Sequence, residues 1–464
     1  MDALLEFIDI SKIPTNEHLR AVYKALSSAS TITLASYTST NIDPLELLQP
    51  NHHTLAYVCI LNARMAVASS SVYGRLLAFA YKLALEFNPL QLRIASHALV
   101  QLGESISQCA ISSGHPPAAI RIFSLLCTKL NSTTFTAESN INSVHLTPLH
   151  VLLLKHCLLS KNYKAGHEAL KVEITDMASP IAPIRIQDFM LYHYYGGLIH
   201  IGNKHFTCAM QFFELCLGVP SDIPSAIQIE AYKRFILVSL LANGALLLPK
   251  TVSPVVARVC KSLTLQYAEF ATAYSSHSLA RATTKASQYA SKFETDKTNG
   301  LVHQCLADLV RRKIRKLTDT YLTLSLGDIT RAVGLNELDV MTGSESTLEA
   351  EAHVVRMIDD RQILATISHL DGGMVSFHDV FNGLDTLSTT ATLEDQIATL
   401  MARDTDAQIL DRKIGLSQNY LQKTIQDKAR PLMNTEDETK KELGMPNFVK
   451  IQHITMIPFK TKFE

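Results

Sequence analysis

The 464-residue sequence predicts a mainly α-helical protein, and three observations lead there. Backbone punctuation is sparse, with 18 Gly and 16 Pro, and the wealth of Ala, Leu and Ser favours long helices over many short turned strands. Apolar residues recur at steps of three and four in two long C-terminal stretches, which is the period of a helix face. Strand-like alternation is confined to a short zone between those stretches.

Composition bounds the function classes. Lys plus Arg and Asp plus Glu each total 43, so the formal charge is zero. A dominant nucleic-acid binder is usually basic and an acidic disordered protein is lopsided the other way. Apolar residues at 47 % against 19 % charged residues supply ample material for buried cores. The length suggests roughly three domains at ~150 residues each. The eight cysteines (Cys59, Cys109, Cys127, Cys157, Cys208, Cys216, Cys260 and Cys305) are scattered, and no C-x-x-C pair occurs. That is neither a zinc or haem pattern nor a disulfide scaffold, so they read as free buried thiols in a reducing compartment. The opening MDALLEFIDISKIP lacks a basic segment followed by an apolar core, and no apolar run approaches the ~20 residues of a membrane helix. The expectation is a soluble, intracellular protein.

The elements follow in chain order. Residues 1–71 form an N-terminal helical region interrupted by a polar loop at 36–43. Residues 72–299 read as a helical-repeat array, broken by turn signals at Gly114-His115-Pro116-Pro117, Ser179-Pro180, Pro220-Ser221-Asp222 and Ser253-Pro254. Within it a turn is followed three times by an aromatic or Pro and then, three positions on, a small residue: Pro116 with Ala119, Tyr163 with Gly166, Phe206 with Ala209. Each opens an amphipathic helix, and the spacings are 47 and 43 residues. The small residue lets the two helices of a hairpin approach closely, and the aromatic wedges between one hairpin and the next. The pattern resembles a degenerate tetratricopeptide-like solenoid, whose regular period is ~34 residues. An ordinary helical bundle is the alternative.

From residue 300 the pattern changes. Val302, Leu306, Val310, Ile314, Leu317 and Tyr321 mark one face of a long helix whose other face carries Arg311, Arg312, Lys313, Arg315 and Lys316. A strand-like Leu322-Thr323-Leu324 follows. Ser325 with Asp328 is a capping box opening a helix that stops at Gly334. After a polar loop at 336–347, Ser346 with Glu349 reads as a second capping box, and Leu348, Ala352, Val355 and Ile358 as the buried stripe of the next helix. Ile363, Ala365 and Ile367 then alternate with polar or outward positions. Asp371-Gly372-Gly373 is a hairpin turn signal, and Val375 and Phe377 continue in a second strand. Helix, strand, helix, loop, helix, strand, turn, strand is the order of a winged helix, placed at 300–380. A link at 380–391 leads to a long terminal helix at 391–428, with an interrupted stripe of Leu393, Ile397, Leu400, Ala407, Leu410, Ile414, Leu421 and Ile425 that Asp404 weakens. Such a helix is suited to a partner helix, or else folds back on the winged helix. A flexible tail at 431–464 completes the chain.

The sequence offers no catalytic or cofactor motif. G-x-x-x-x-G-K-[ST], G-x-G-x-x-G, G-x-S-x-G and H-E-x-x-H are all missing. His52-His53 and the pair His193 and His200 come nearest to clusters, but neither has Cys or carboxylate company at metal spacing. The expectations are no catalytic, cofactor-binding or metal residues and no cofactor.

Local charge argues against DNA. Between residues 321 and 380, three basic residues face ten acidic ones, a net of minus seven. The helix that would enter a major groove carries Glu349, Glu351, Asp359 and Asp360, whereas phosphate contacts need Lys or Arg. The span 300–320 carries five basic and two acidic residues. Its run at 311–316 reads as a solvated helix face, possibly paired with the acidic module, ahead of a nuclear localisation signal, a nucleic-acid patch or a site for an acidic partner.

A helical-repeat array leading into a winged helix and then a terminal helix resembles the PCI-domain family, whose members are scaffold subunits of the proteasome lid, the COP9 signalosome and a translation initiation complex. YYGGLIHIGNKHF (194–206), EAYKRFILVSLL (230–241), GLVHQCLADL (300–309), LTLSLGDI (322–329) and DGGMVSFHD (371–379) are most similar to the signalosome branch. The resemblance covers roughly 194–425 well and the N-terminal part loosely. The 336–347 loop is long for the family, and the tail after Pro431 matches nothing in it. The resemblance implies a non-catalytic scaffold of the isopeptidase complex that removes Nedd8 from cullins and regulates cullin–RING ubiquitin ligases, with the metalloprotease centre on another subunit. It implies contacts with other PCI-domain signalosome subunits, and with cullin–RING ligases through the complex, with no nucleic acid and no membrane. Location would be cytoplasmic and nuclear. Edge-to-edge pairing of winged helices and a shared helical bundle would make Ile363, Ala365, Ile367, Val375, Phe377, Leu393, Ile397, Leu400, Leu410 and Ile414 the partner-binding residues. A proteasome-lid scaffold subunit is the alternative within the family, and a winged-helix DNA-binding regulator the alternative outside it.

Overall fold

The structure is a computed structural model, and it describes residues 8, 16–39, 42–92, 94–132, 144–172, 174, 177, 184–221, 223–249, 251–335, 343–369, 373–378, 387–418 and 420–426. The chain divides into two units, Met1–Val380 and Phe381–Glu464.

The first unit opens with α1 (Asn16–Ser28), α2 (Thr31–Ala35), α3 (Pro44–Leu47), α4 (Thr54–Val67), α5 (Tyr73–Glu86) and α6 (Pro89–Leu92). Asp43 caps α3 through its Oδ1, which accepts from the Leu45 amide at 3.0 Å. Its other oxygen pairs with the buried Arg64 at 2.6 Å, so one carboxylate fixes both the start of α3 and its seat on α4.

Three helical hairpins follow: α7 (Ser96–Ser112) with α8 (Pro116–Ser132), α9 (Pro148–Leu159) with α10 (Tyr163–Leu170), and α11 (Ile186–Gly202) with α12 (Phe206–Leu217). The second helices begin at Pro116, Tyr163 and Phe206, the positions marked by the sequence pattern, and Ala119, Gly166 and Ala209 are buried. Beyond α13 (Ala226–Asn243) and α14 (Pro254–Leu263), the helices α15 (Leu265–Ser275) and α16 (Leu279–Gln288) repeat the arrangement, with Leu279 opening the helix and Ala282 fully buried. The sequence pattern missed this copy because Leu279 is neither aromatic nor Pro.

The hairpin turns share one backbone device. Gly114, Lys161, Lys204 and His277 have φ of 71°, 53°, 61° and 53°. Each donates its amide to the carbonyl three residues back, as Lys161 does to Leu158 at 3.1 Å and Lys204 to Ile201 at 3.0 Å. After Gly114, Lys161 and Lys204 the next residue then donates to the carbonyl five back, as in Asn162 to Cys157 and His205 to His200, both at 2.9 Å. This is a Schellman cap, which satisfies the last carbonyls of a helix and reverses the chain.

Gly166 acts differently from the expectation. A Cβ on Gly166 would meet Ile199 Cδ1 at 2.7 Å, and one on Gly202 would meet the Tyr163 ring at 2.5 Å. Both contacts lie between α10 and α11, so the close approach is between successive hairpins, and Tyr163 is the wedge. Within the α11–α12 hairpin, Gly196 and Gly197 instead admit Phe212 and Phe213. Two apolar cores meet along this hairpin: Tyr192 and Ile199 belong to the first, while Met190 and Phe213 belong to the second.

The second core runs without a break into the winged helix. Here α17 (Ala290–Thr295) and α18 (Asn299–Thr318) lead to β1 (Thr323–Ser325), α19 (Leu326–Val333), α20 (Gly343–Asp359), β2 (Leu364–Ser368) and β3 (Met374–His378). The sheet is antiparallel in the order β1-β3-β2, with Leu324 opposite Val375 and Ile367 opposite Val375 on the other side. Ser325 caps α19 by accepting from the Asp328 amide at 3.1 Å, and Gly334 ends it with φ 84°.

Two expectations for α20 are overturned. The helix begins at Gly343, so Ser346 lies inside it and not at its N-cap position. Its buried residues are Ala350, Val354 and Met357, while Leu348 is 65 % and Val355 40 % exposed. Both series fit a helical period, and packing against α18 and α19 selects the one with the smaller residue at its N-terminal end. Residues 336–342 of the loop, Asp371-Gly372 of the turn and the tail after Pro431 lie outside the described residues.

The second unit contains one long helix, α21 (Leu387–Leu416), and residues 420–426 are helical again.

Gly202→Ala adds a methyl group where the Tyr163 ring already sits, and overpacking of this kind costs about 1–3 kcal/mol. Urea denaturation shows that loss in the wild-type background and a clearly smaller one in a Tyr163→Ala background, because the two sites are in contact.

Candidate functional site

Two surfaces carry the residues marked by the sequence. In the winged helix, Ile363, Val375 and Phe377 are core side chains, and Ala365 and Ile367 pack against the same core. Their side chains therefore hold the sheet in place. What the sheet offers is the backbone of β2, an outer strand paired on one side with β3, and outer strands are templates for pairing with another chain.

The terminal helix is different. Leu393 is 43 %, Ile397 55 %, Leu400 64 % and Ile414 55 % exposed, and Leu410 is partly buried. Leu393, Leu400, Ala407 and Ile414 recur at intervals of seven, the repeat of a helix that supercoils with another. Four residues after Leu400 and Ala407 stand Asp404 and Asp411, both exposed. Polar residues in such a seam set register and partner choice at a cost in stability.

The basic run on α18 turns partly inward. Arg312 donates from Nη2 to the Leu241 carbonyl at 2.6 Å and from Nε to Asp308 at 2.6 Å. It thereby closes the C-terminal end of α13, where Gly244 adopts φ 77°. Lys313 Nζ donates to the Val333 carbonyl at 2.7 Å, at the end of α19. Cations at helix C-termini satisfy orphan carbonyls and complement the helix dipole. These two side chains are fasteners between the last repeat helices and the winged helix, so the reading of the run as a solvated face holds only for the exposed Arg315 and Lys316. The acidic residues Glu349, Asp359 and Asp360 of the winged helix are exposed.

A buried charge network braces the same joint. Lys233 on α13 contacts Glu230 at 2.6 Å and Asp296 at 3.0 Å, with both Lys233 and Asp296 side chains 9 % exposed. The Tyr267 hydroxyl donates to Asp296 at 3.0 Å. Burial alone would push Asp296 up, but Lys233 and Tyr267 outweigh it and hold the carboxyl below its ordinary value. Burial would likewise push Lys233 down, but Glu230 and Asp296 hold it above its ordinary value.

Among the described residues Thr366 Oγ1 lies 3.0 Å from His378 Nε2 in an exposed place, whereas a second hydroxyl–imidazole contact is sealed. Ser107 Oγ lies 2.9 Å from His156 Nε2, and these residues are 3 % and 0 % exposed. A substrate has no path to them. All eight cysteines are free, six of them buried, and burial pushes Cys157 and Cys260 up to about 11, the behaviour of inert core thiols. His193 donates from Nδ1 to the Phe189 carbonyl at 2.9 Å and does not join His200. His200 instead lies with His167 and His205, a grouping hidden in the sequence because it spans two hairpins.

Comparison with known proteins bears on the whole chain. The family described as COP9 signalosome complex subunit 3, N-terminal helical repeats, matches residues 16–256, and the PCI domain matches 286–379. COP9 signalosome complex subunit 3 of Dictyostelium discoideum is 32 % identical over 337 residues, 72 % of this chain and 76 % of that protein. The protein of the same name from Arabidopsis thaliana is 32 % identical over 413 residues, 87 % of this chain and 86 % of its own length.

The Lys233–Asp296 contact bridges the two matched stretches, and its loss has a defined pH signature. Asp296 is lowered, so its contribution is present above the ordinary carboxylate value and fades as pH falls through the native one. Lys233 is raised, so its contribution is present below the ordinary lysine value and fades above the native one. The bridge is therefore complete between about pH 4 and about pH 10. Lys233→Met destabilises by about 3 kcal/mol at pH 7, since it leaves a buried carboxylate without its main partner. The difference from wild type, followed by chemical denaturation, shrinks below about pH 4.

Proposed function

The chain belongs to the COP9 signalosome subunit 3 family, and on that premise we propose that it serves as a non-catalytic scaffold subunit of the signalosome. The observation that carries the proposal is α21, a 30-residue helix whose apolar residues recur every seven positions and stand exposed. Exposed apolar seams of this kind are interaction sites. The helix joins a bundle with helices of other PCI-domain subunits, and Asp404 and Asp411 favour basic residues on the facing helix.

The β2 backbone extends the sheet of a neighbouring winged helix by edge pairing. The helical repeats project as an arm towards neighbours or cullin–RING ligases. The complex removes Nedd8 from cullins in cytoplasm and nucleus, and the metalloprotease centre resides on another subunit. The acidic face of α20 supports protein contact over DNA, because phosphate contact needs a basic surface.

Leu400→Asp with Ile414→Asp tests the seam in the full chain, co-expressed with signalosome PCI subunits. Burial of one such side chain is worth ~1.5–3 kcal/mol and 1.4 kcal/mol is about tenfold, so incorporation into the complex falls by at least about tenfold with unchanged circular dichroism. Incorporation at the wild-type level, or a wild-type chain that elutes as a monomer free of PCI-containing partners, would sink the proposal.

A further inference from the structure

His167 on α10, His200 on α11 and His205 at the start of α12 bring one ring nitrogen each to within 4.8 Å of the others. The ring centroids of His167 are 5.8 Å from His200 and 4.9 Å from His205. Nδ1 of His167 and Nδ1 of His200 are buried and make no hydrogen bond. A buried ring nitrogen without a partner is costly, and here two of them stand beside a third imidazole.

The backbone explains the placement. The Schellman cap ending α11 joins the His205 amide to the His200 carbonyl at 2.9 Å, so these two residues are held at a set spacing around Lys204. Gly166 lets α10 close on Ile199, and its sequence neighbour His167 is thereby carried up to His200, one residue past Ile199. The trio rests on the two features that define the repeat.

The chemistry suits one class of ligand. Three neutral imidazoles bind borderline divalent cations such as Zn2+, at ~2.0–2.1 Å per nitrogen, leaving a fourth position for water. Three atoms no more than 4.8 Å apart share a point within about 2.8 Å of each, so side-chain shifts below about 1 Å complete the coordination distance. His205 is exposed, which gives an ion a way in. The three rings lie edge-on or tilted to one another.

We infer that His167, His200 and His205 form a zinc-class metal site that staples the α9–α10 hairpin to the α11–α12 hairpin where the two apolar cores meet. Bound metal would act structurally, holding the repeats in register, as sites built from side chains of separate elements do.

The test uses the full chain stripped with a chelator. Competition against a chromophoric chelator should show one Zn2+ per chain, with thermal unfolding shifting upward as Zn2+ is added. Co2+ should give visible d–d bands without a thiolate charge-transfer band, which separates the trio from the eight cysteines. His200→Ala should weaken binding by about 100-fold or more, beyond the 10–100-fold that changes outside the ligand set cost. If His200→Ala fails to fold by circular dichroism, His205→Asn at the exposed ligand decides, with the same loss of binding expected. No stoichiometric binding, a thiolate band with Co2+, or wild-type affinity in His205→Asn would overturn the assignment.

Discussion

The left-handed residue that ends a helix is the constraint on which this architecture depends. Among the described residues, Gly114, Lys161, Lys204, His277, Lys297 and Arg361 all occupy it, with φ between 53° and 71°. Five of the six are not glycine, so each carries a local backbone cost that the surrounding packing must offset. The return is geometric. The helix stops with its carbonyls satisfied, the chain reverses within a few residues, and the next element starts two positions after each of the first five and three positions after Arg361. The device recurs beyond the repeats: Lys297 turns α17 into α18, and Arg361 turns α20 towards β2. Array and winged helix are thus assembled by one kind of joint, and one apolar core passes through both.

Charge is distributed according to the same logic. The neutral total conceals a basic α18 and an acidic winged helix, and part of the basic charge is spent inside the molecule. Arg312 and Lys313 close the ends of α13 and α19, while Lys233 ties α13 to Asp296 beside the Lys297 turn. These cations secure the joint between the repeats and the winged helix, while Glu349, Asp359 and Asp360 are exposed. Exposed carboxylates repel phosphate, and β2 leaves an outer strand edge open to pairing.

Stability and availability are separated along the chain. The described part of the first unit buries its apolar residues in two cores that meet at the α11–α12 hairpin. In the second unit, α21 keeps Leu393, Ile397, Leu400 and Ile414 exposed. A helix built this way gains little from its own residues, since helices draw most of their stability from a packed apolar face.

The sequence by itself determined the helical class, the openings of α8, α10 and α12, the winged-helix order and the unsatisfied terminal helix. All of these are written in local signals: turn residues, caps and the period of apolar positions. The family words between 194 and 425 added the kinship. Tertiary structure decided the rest. Leu348 with Val355 and Ala350 with Val354 satisfy the same helical period, and only contact with α18 and α19 chose the second pair. Lys161 and Lys204 carry no mark of a left-handed turn, since nothing in a lysine predicts it. Ile363, Val375 and Phe377 are core, with Ala365 and Ile367 packed against it, because alternation identifies a buried face without saying what covers it. Arg312, Lys233 and the three histidines find their partners across tens of residues, and such contacts exist only after the helices have packed.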